Sequence, residues 1–287
     1  MDNLFEKIRD EYPSFSKGQK RIADYLLEHY DKAAFMTAAK LGKVTNVSES
    51  TVVRFASQLG FEKYGKLQKS LQNIVRIKLT SVQRIEVTND QLDSQNIINN
   101  VLSRDIDMIK STMEIVSKED FNGAVNAIKN SKRIYILGVR SSAPLASFLA
   151  FYFNMIFEDV KLIAAAGSSE ILEAFYHIKP DDVCIAISFP RYSNRTVSAL
   201  RFVASRGAKI ITITDNEFSP TASLADYKLL ARSDMASFVD SVVAPLSLIN
   251  ALIVASTYDI SEKAQHNFNE LEKLWQEFRV YQDNEEN

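Results

Sequence analysis

Three short polar stretches in this chain carry residue types that hold anions. Gly138-Val139-Arg140-Ser141-Ser142 follows one apolar run, Ser188-Phe189-Pro190-Arg191-Tyr192-Ser193-Asn194-Arg195-Thr196 follows a second, and Thr214-Asp215-Asn216 ends a third. Hydroxyl groups and free backbone N–H groups at helix starts are suited to phosphate, and Arg140, Arg191 and Arg195 can add charge-assisted bonds. Any one of these serines alone reads as a helix N-cap. Three such loops converging on one edge read as a shared anion pocket. No Gly-x-Gly-x-x-Gly follows the first run and no Gly-Lys-Ser/Thr closes a phosphate loop, so no nucleotide signature competes.

A second constellation lies at residues 38–59, which read as two short helices joined by a tight turn. Gly42 falls where such helices cross, and a side chain larger than a methyl is expected to push them apart. Asn46 occupies the turn, where it tolerates a left-handed backbone. Ser48 can cap the next helix, and Val47 can cover the core beside the turn. Val52, Phe55 and Leu59 recur at helical spacing and bury one face, leaving Glu49, Ser50, Thr51, Arg54, Ser57 and Gln58 largely outward. This is a helix-turn-helix pattern. Ser50, Thr51, Arg54 and Gln58 are its candidates for base edges and nearby phosphates, Ser48 joins the DNA-binding set as the cap of that helix, and Lys43 and Lys63 are candidates for backbone contacts alone.

The elements that must position these groups follow from periodicity. Helices are expected over 4–12, stopping at Pro13, from Ser16 through Leu27, across the helix-turn-helix, and over 64–79. Together they form an all-α bundle of about five helices in residues 1–79. Residues 80–95 are polar and aperiodic and read as a linker. A long helix over 97–116 then leads a second domain, 96–282, and could pair with its own copy or pack on that domain. Short apolar runs at 133–138, 160–163, 182–188, 208–214 and 227–230 alternate with helix-like segments at 143–157, 168–177, 194–206 and 219–224. Apolar strands alternating with helices predict a parallel α/β sandwich covered on both faces. Helices over 236–258 and 261–281 close the chain before an acidic tail, 283–287. Ligands of such a sheet sit beyond the carboxyl ends of its strands, where the three polar loops fall.

Composition bounds the rest. Residues 1–80 hold 14 Lys and Arg against 9 Asp and Glu, and the remainder holds 20 against 27. A basic head behind a net charge of −2 fits phosphate attraction by the N-terminal domain. The apolar runs fall short of a membrane span and the start lacks a secretory layout, so a cytoplasmic protein with no membrane partner is expected. The single Cys184 reads as a buried strand residue, and scattered His29, His177 and His266 offer no metal-ligand spacing. Neither a metal nor a cofactor is expected.

Val-Ser-Glu-Ser-Thr-Val-Val-Arg-Phe-Ala-Ser-Gln-Leu-Gly-Phe (47–61) and Ile-Ser-Phe-Pro-Arg-Tyr-Ser-Asn-Arg-Thr (187–196) resemble the MurR/RpiR family of bacterial regulators, in which a helix-turn-helix domain precedes a sugar isomerase (SIS) domain. The resemblance covers nearly the whole chain. It implies a homo-dimer or homo-tetramer that binds a double-stranded DNA operator and responds to a phosphorylated sugar. SIS domains usually present Ser-x-Ser-Gly-x-Thr around the phosphate. Ser188 matches the first serine, Ser193 and Thr196 match the later serine and threonine, and Asn194 stands for the glycine. Ser142 falls on the family's first-loop serine, next to Ser141, while Arg140 replaces a common glycine. The implied ligand set is thus Arg140, Ser141, Ser142, Ser188, Arg191, Ser193, Asn194 and Thr196. An alternative is a phosphosugar isomerase or lyase, for which Glu170, Glu173 and His177 are the candidate acid–base groups. A third reading, N-terminal helices that grip protein, predicts binding insensitive to salt.

Overall fold

The computed structural model describes residues 3–78, 80–89, 95–164, 167–235, 237–258 and 262–281. It divides into two compact units, one of Met1–Gln95 with Ser237–Val239 and one of Asn96–Ala236 with Asp240–Asn287. Tail 283–287 lies outside the described residues.

The first unit is helical: α1 (Asn3–Glu11), α2 (Lys17–Glu28), α3 (Tyr30–Ala33), α4 (Ala38–Val44), α5 (Glu49–Gln58), α6 (Tyr64–Lys78) and α7 (Ser81–Asn89). Pro13 ends α1 in a 3₁₀ turn over Tyr12–Ser14, as a residue lacking an N–H must. Ser16 caps α2 through a full capping box with Gln19. Ile8, Ile22, Leu26, Leu41, Val52, Phe55, Leu67 and Leu71 share one core. Helix α6 closes it by polar means as well: Tyr64 Oη and Gln68 Nε2 both donate to the Met36 carbonyl, at 2.7 and 2.9 Å, and Gln72 Nε2 donates to that of Ala34 at 3.0 Å. Those carbonyls end α3 and the turn after it, where no helical partner exists.

Three sequence expectations need correction here. Residues 81–89 form α7 where an irregular linker is expected. Thr80 starts it, its hydroxyl accepting from Gln83 N at 3.3 Å while Gln83 Oε1 accepts from Thr80 N at 3.0 Å, a cap box that weak apolar periodicity conceals. The bundle up to Lys78 also has six helices rather than about five. At Gly42 a methyl is already too large, since a Cβ there would lie 2.9 Å from the Val47 carbonyl oxygen, backbone that has no room to move.

The second unit comprises α8 (Ile97–Ile115), α9 (Lys118–Lys129), β1 (Ile134–Gly138), α10 (Ala143–Ile156), β2 (Val160–Ile163), α11 (Ser168–Ala174), β3 (Val183–Ile187), α12 (Asn194–Ser205), β4 (Lys209–Thr214), β5 (Tyr227–Leu230), α13 (Val243–Thr257) and α14 (Glu262–Glu277). All strand pairs are parallel, in the order β2-β1-β3-β4-β5. Alternate residues feed opposite layers. Ile134, Ile136, Ile185 and Ile213 pack on α9, α10 and α13, whereas Tyr135, Leu137, Cys184 and Ile210 pack on α11 and α12. Strands buried on both faces explain their unbroken apolar runs.

Helix α9 has no counterpart in the sequence reading, although Ser117 caps it by accepting from Asp120 N at 3.1 Å. Helix α13 starts at Val243 rather than near residue 236. The preceding segment is held by side chains instead, with Ser233 Oγ donating to the Ser241 carbonyl and Ser241 Oγ to Asp105 of α8. Helix α8 packs on α13, and its buried Met108 and Thr112 accept from Asp234 N and Arg232 N at 3.3 and 2.9 Å. Its other residues Ile98, Leu102, Ile106 and Met113 are exposed.

Two glycine substitutions report on the N-terminal unit. Gly42→Ala should destabilise it by about 1–3 kcal/mol through overpacking against backbone. Gly65→Ala, where a Cβ meets nothing within 4 Å, should instead stabilise α6 by about 0.4–1 kcal/mol. Hydrogen exchange of the α4–α6 amides in the full chain reads both; equal protection in the two variants would refute the close crossing at Gly42.

Candidate functional site

Strand order reverses at β1, which lies between β2 and β3, so the crevice of this sheet opens beyond the ends of β1 and β3. Gly138 and Ile187 are register partners at those ends. The polar loops after β1 and β3 therefore leave the sheet side by side. The first turns tightly: a Cβ on Gly138 would lie 2.7 Å from both the Ser142 carbonyl oxygen and Ala146 Cβ. Arg140, Ser141 and Ser142 form a 3₁₀ turn leading into α10, with Ser142 buried and Arg140 and Ser141 exposed. Arg140 has φ of 56° and Arg191 of 67°, left-handed positions that cost a non-glycine residue about 1–2 kcal/mol each.

In the loop after β3 Ser188 is buried and its N–H donates to the Ile213 carbonyl of β4 at 3.0 Å. Ser193 is the N-cap residue of α12, and its hydroxyl makes no capping bond. Asn194 opens the helix in solvent, and Arg191 and Arg195 are also exposed. Thr196, one turn inside, is 1 % exposed, and its Oγ1 has no hydrogen-bond partner among the described residues. A buried hydroxyl so placed costs about 1–3 kcal/mol unless something outside the chain satisfies it.

The loop after β4 joins this group through a contact that no spacing reveals. Tyr192 Oη donates to Asp215 Oδ1 at 2.6 Å, and Asn216 Nδ2 donates to Tyr192 Oη at 3.1 Å. Asp215 is 4 % exposed. This link fastens the loop after β3 to the end of β4. A 23-residue separation hides it in sequence.

On the helix-turn-helix, Asn46 has φ of 54° and Val47 N donates to the Gly42 carbonyl at 2.8 Å, closing the turn. Ser48 Oγ accepts from Thr51 N at 3.3 Å and lies 2.9 and 2.8 Å from the Ser50 and Thr51 hydroxyls. It is a cap first. Ser50 and Arg54 are exposed, Thr51 is half-buried, and Lys43 and Lys63 are exposed on the flanking turns. Gln58 is tied elsewhere: its Nε2 donates to Ser14 Oγ at 3.0 Å, and its Oε1 accepts from Gln19 Nε2 at 2.7 Å. It fixes α5 against the start of α2.

The groups weighed for acid–base chemistry divide between the two edges of the sheet, Glu170 in the first turn of α11 beyond the end of β2 and His177 at the other edge. Glu170 Oε2 accepts from Gly167 N at 2.7 Å and caps α11, and Glu173 is exposed on that helix. His177 follows the end of α11 and precedes β3, which puts it at the amino edge of the sheet, opposite the polar loops. Cys184 is fully buried within β3, and burial pushes its thiol up, away from the reactive thiolate. Among the described residues no cluster of His, Cys, Asp or Glu could hold a metal ion, and no helix is long and apolar enough to cross a membrane.

Comparison with known proteins matches both units. The helix-turn-helix domain of the rpiR family matches residues 2–75, and the SIS domain matches residues 127–255. An uncharacterized HTH-type transcriptional regulator of Haemophilus influenzae is 24 % identical over 273 residues, 92 % of this chain and 94 % of its own. Another, from Clostridium perfringens, is 24 % identical over 227 residues, 79 % and 80 % of the two chains. The sugar isomerase domain of an RpiR transcription factor from Sphaerobacter thermophilus is 27 % identical with a TM-score of 0.58, covering 61 % of this chain and 97 % of that one. The NanR protein of Vibrio vulnificus, solved with ManNAc-6P, is 20 % identical with a TM-score of 0.59, covering 96 % and 98 %. A helical unit that matches the helix-turn-helix domain of the rpiR family, followed in sequence by a parallel-sheet unit that matches the SIS domain, thus gives this chain the two-domain make-up of the HTH-type transcriptional regulators to which it is similar.

Proposed function

We propose that the protein is a transcriptional regulator whose operator binding is set by a phosphorylated sugar held between the loops after β1 and β3. The unpartnered, buried Thr196 Oγ1 carries the effector half of this reading. It sits in the first turn of α12, three residues after Ser193 and in the same loop-to-helix stretch as the buried Ser188, where a phosphate oxygen would complete its hydrogen bonding. Ser142 supplies a further hydroxyl from the neighbouring loop, and Arg140 and Arg191 supply charge at its rim. ManNAc-6P in the related NanR is a ligand of this chemical class.

The DNA half rests on the exposed Ser50 and Arg54 and the half-buried Thr51, on a helix whose other face is fully packed. Lys43 and Lys63 flank it for phosphate contacts. Ser48 and Gln58 keep that face in place rather than reading bases. Two such heads in a homo-dimer or homo-tetramer would reach successive major grooves about 34–36 Å apart. The exposed Ile98, Leu102, Ile106 and Met113 of α8 offer an apolar stripe for self-association, and the cytoplasm is where such a regulator would work.

The direct experiment titrates the full chain with duplex DNA from upstream of its own gene at low ionic strength, with and without a panel of phosphosugars. Binding that one phosphosugar shifts is expected. Indifference to that DNA in every condition would remove the reading. Thr196→Val separates ligand from fold. The variant should melt within about 1 kcal/mol of the parent in stability, because no internal bond is lost, yet bind the active phosphosugar at least about tenfold more weakly, the worth of one charged hydrogen bond. Unchanged calorimetric affinity in Thr196→Val would place the phosphate elsewhere.

A further inference from the structure

A groove of about 520 Å³ lies between the starts of α2 and α5 within the N-terminal unit. Ser16, Gly18 and Arg21 line one wall, and Ser48, Thr51 and Arg54 line the other. The walls stand close because residue 18 has no side chain, and a Cβ there would lie 3.3 Å from Val47 Cγ1 and 3.5 Å from Thr51 Cγ2. Arg54 Nε donates to the Ser50 carbonyl at 3.3 Å, one turn back along its own helix. Its guanidinium is thereby folded toward the start of α5, where the groove is, instead of reaching forward. Arg21 is exposed on the opposite wall, and no carboxylate lines the space. Two arginines on separate helices, facing one concavity edged by hydroxyls, make a site for an anion that runs past rather than one that is enclosed.

We infer that this groove seats the sugar-phosphate backbone of one DNA strand, with Arg21 and Arg54 as positioning residues on either side of it. The inference rests on the DNA-binding reading and assigns a division of labour within it. Phosphate contacts fix orientation and carry no sequence information, whereas base contacts specify. A strand clamped between α2 and α5 sets the rotation of α5 about its axis, and so determines which of Ser50 and Thr51 meets a base edge. Arg54, a candidate for base contact by its position on the outward face, is assigned to the backbone by its bond to Ser50. Arg21 lies 33 residues away in sequence, and its type and spacing give no sign of the role.

The test measures affinity of the full chain for two duplexes of equal length, one from upstream of its own gene and one of mixed sequence, across a salt series. Arg21→Gln and Arg54→Gln should each weaken both duplexes by the same factor and reduce the slope of log affinity against log salt by about 0.9, the value for one phosphate contact. The double variant should lose about twice that slope, and Arg21→Lys should retain the parent slope. Circular dichroism melting checks that these exposed substitutions leave the fold intact. An unchanged slope in Arg21→Gln, or a loss in Arg54→Gln confined to the upstream duplex, overturns the clamp. If the parent chain itself binds neither duplex, the DNA reading fails and the clamp with it; if the parent binds and only the slopes refuse to move, the clamp alone fails.

Discussion

Parallel pairing of β1 with β3 is the constraint on which the effector crevice depends. The register partners Gly138 and Ile187 end their strands together, and each strand hands the chain to a loop leaving the same edge. Were β1 paired with β2 alone, Ser142 and Ser188 would sit on loops with no reason to meet. The pairing is enforced from both faces, since Ile134 and Ile136 point into one helical layer and Tyr135 and Leu137 into the other. A slip of one residue would exchange every one of these side chains between layers. The site is precise because the sheet beneath it has no alternative register.

Above that rigid base the loops hold conformations that local preference opposes. Arginine in the left-handed region at positions 140 and 191 is unfavourable on its own. The first case is compelled by the close approach of Gly138 to Ser142 and Ala146, which leaves the chain little choice of path into α10. The second is steadied from the neighbouring residue, where Tyr192 is bonded to the buried Asp215. Strain of this kind persists only where surrounding structure over-determines it. Both arginines are thereby presented to solvent at the rim, while the hydroxyls of Ser142, Ser188 and Thr196 lie buried behind them.

What sequence could disclose followed the range of the forces involved. The five strands were legible because burial on both faces writes continuous apolar runs, and the turn at Asn46 because left-handed backbone selects few residues. Helix α9 was not, for its buried Ala124, Val125 and Ile128 are too sparse to announce a face, and its cap at Ser117 is a common local pattern. The start of α13 was misplaced because the preceding segment is closed on itself by Ser233 and Ser241 and then tied by Ser241 to Asp105, a contact across 136 residues. The same distinction divides the site. Residue types named Ser188, Ser193 and Thr196, but the engagement of Gln58 by Ser14 and Gln19, and of Tyr192 by Asp215, depends on which elements fold together.

The serine and threonine hydroxyls then separate into two populations by what already satisfies them. Ser16, Ser48 and Ser117 accept from backbone N–H groups and complete their helices. Ser193 occupies the same N-cap position on α12 and makes no such bond, and Thr196 Oγ1 one turn later has no partner among the described residues. A helix start that needed only capping would have used its serine as the other three do. Leaving the buried Thr196 hydroxyl uncommitted at this helix start costs stability that folding alone does not return. An anion bound there, as proposed, would offset that cost and would make occupancy of the crevice a term in the energy of the SIS domain.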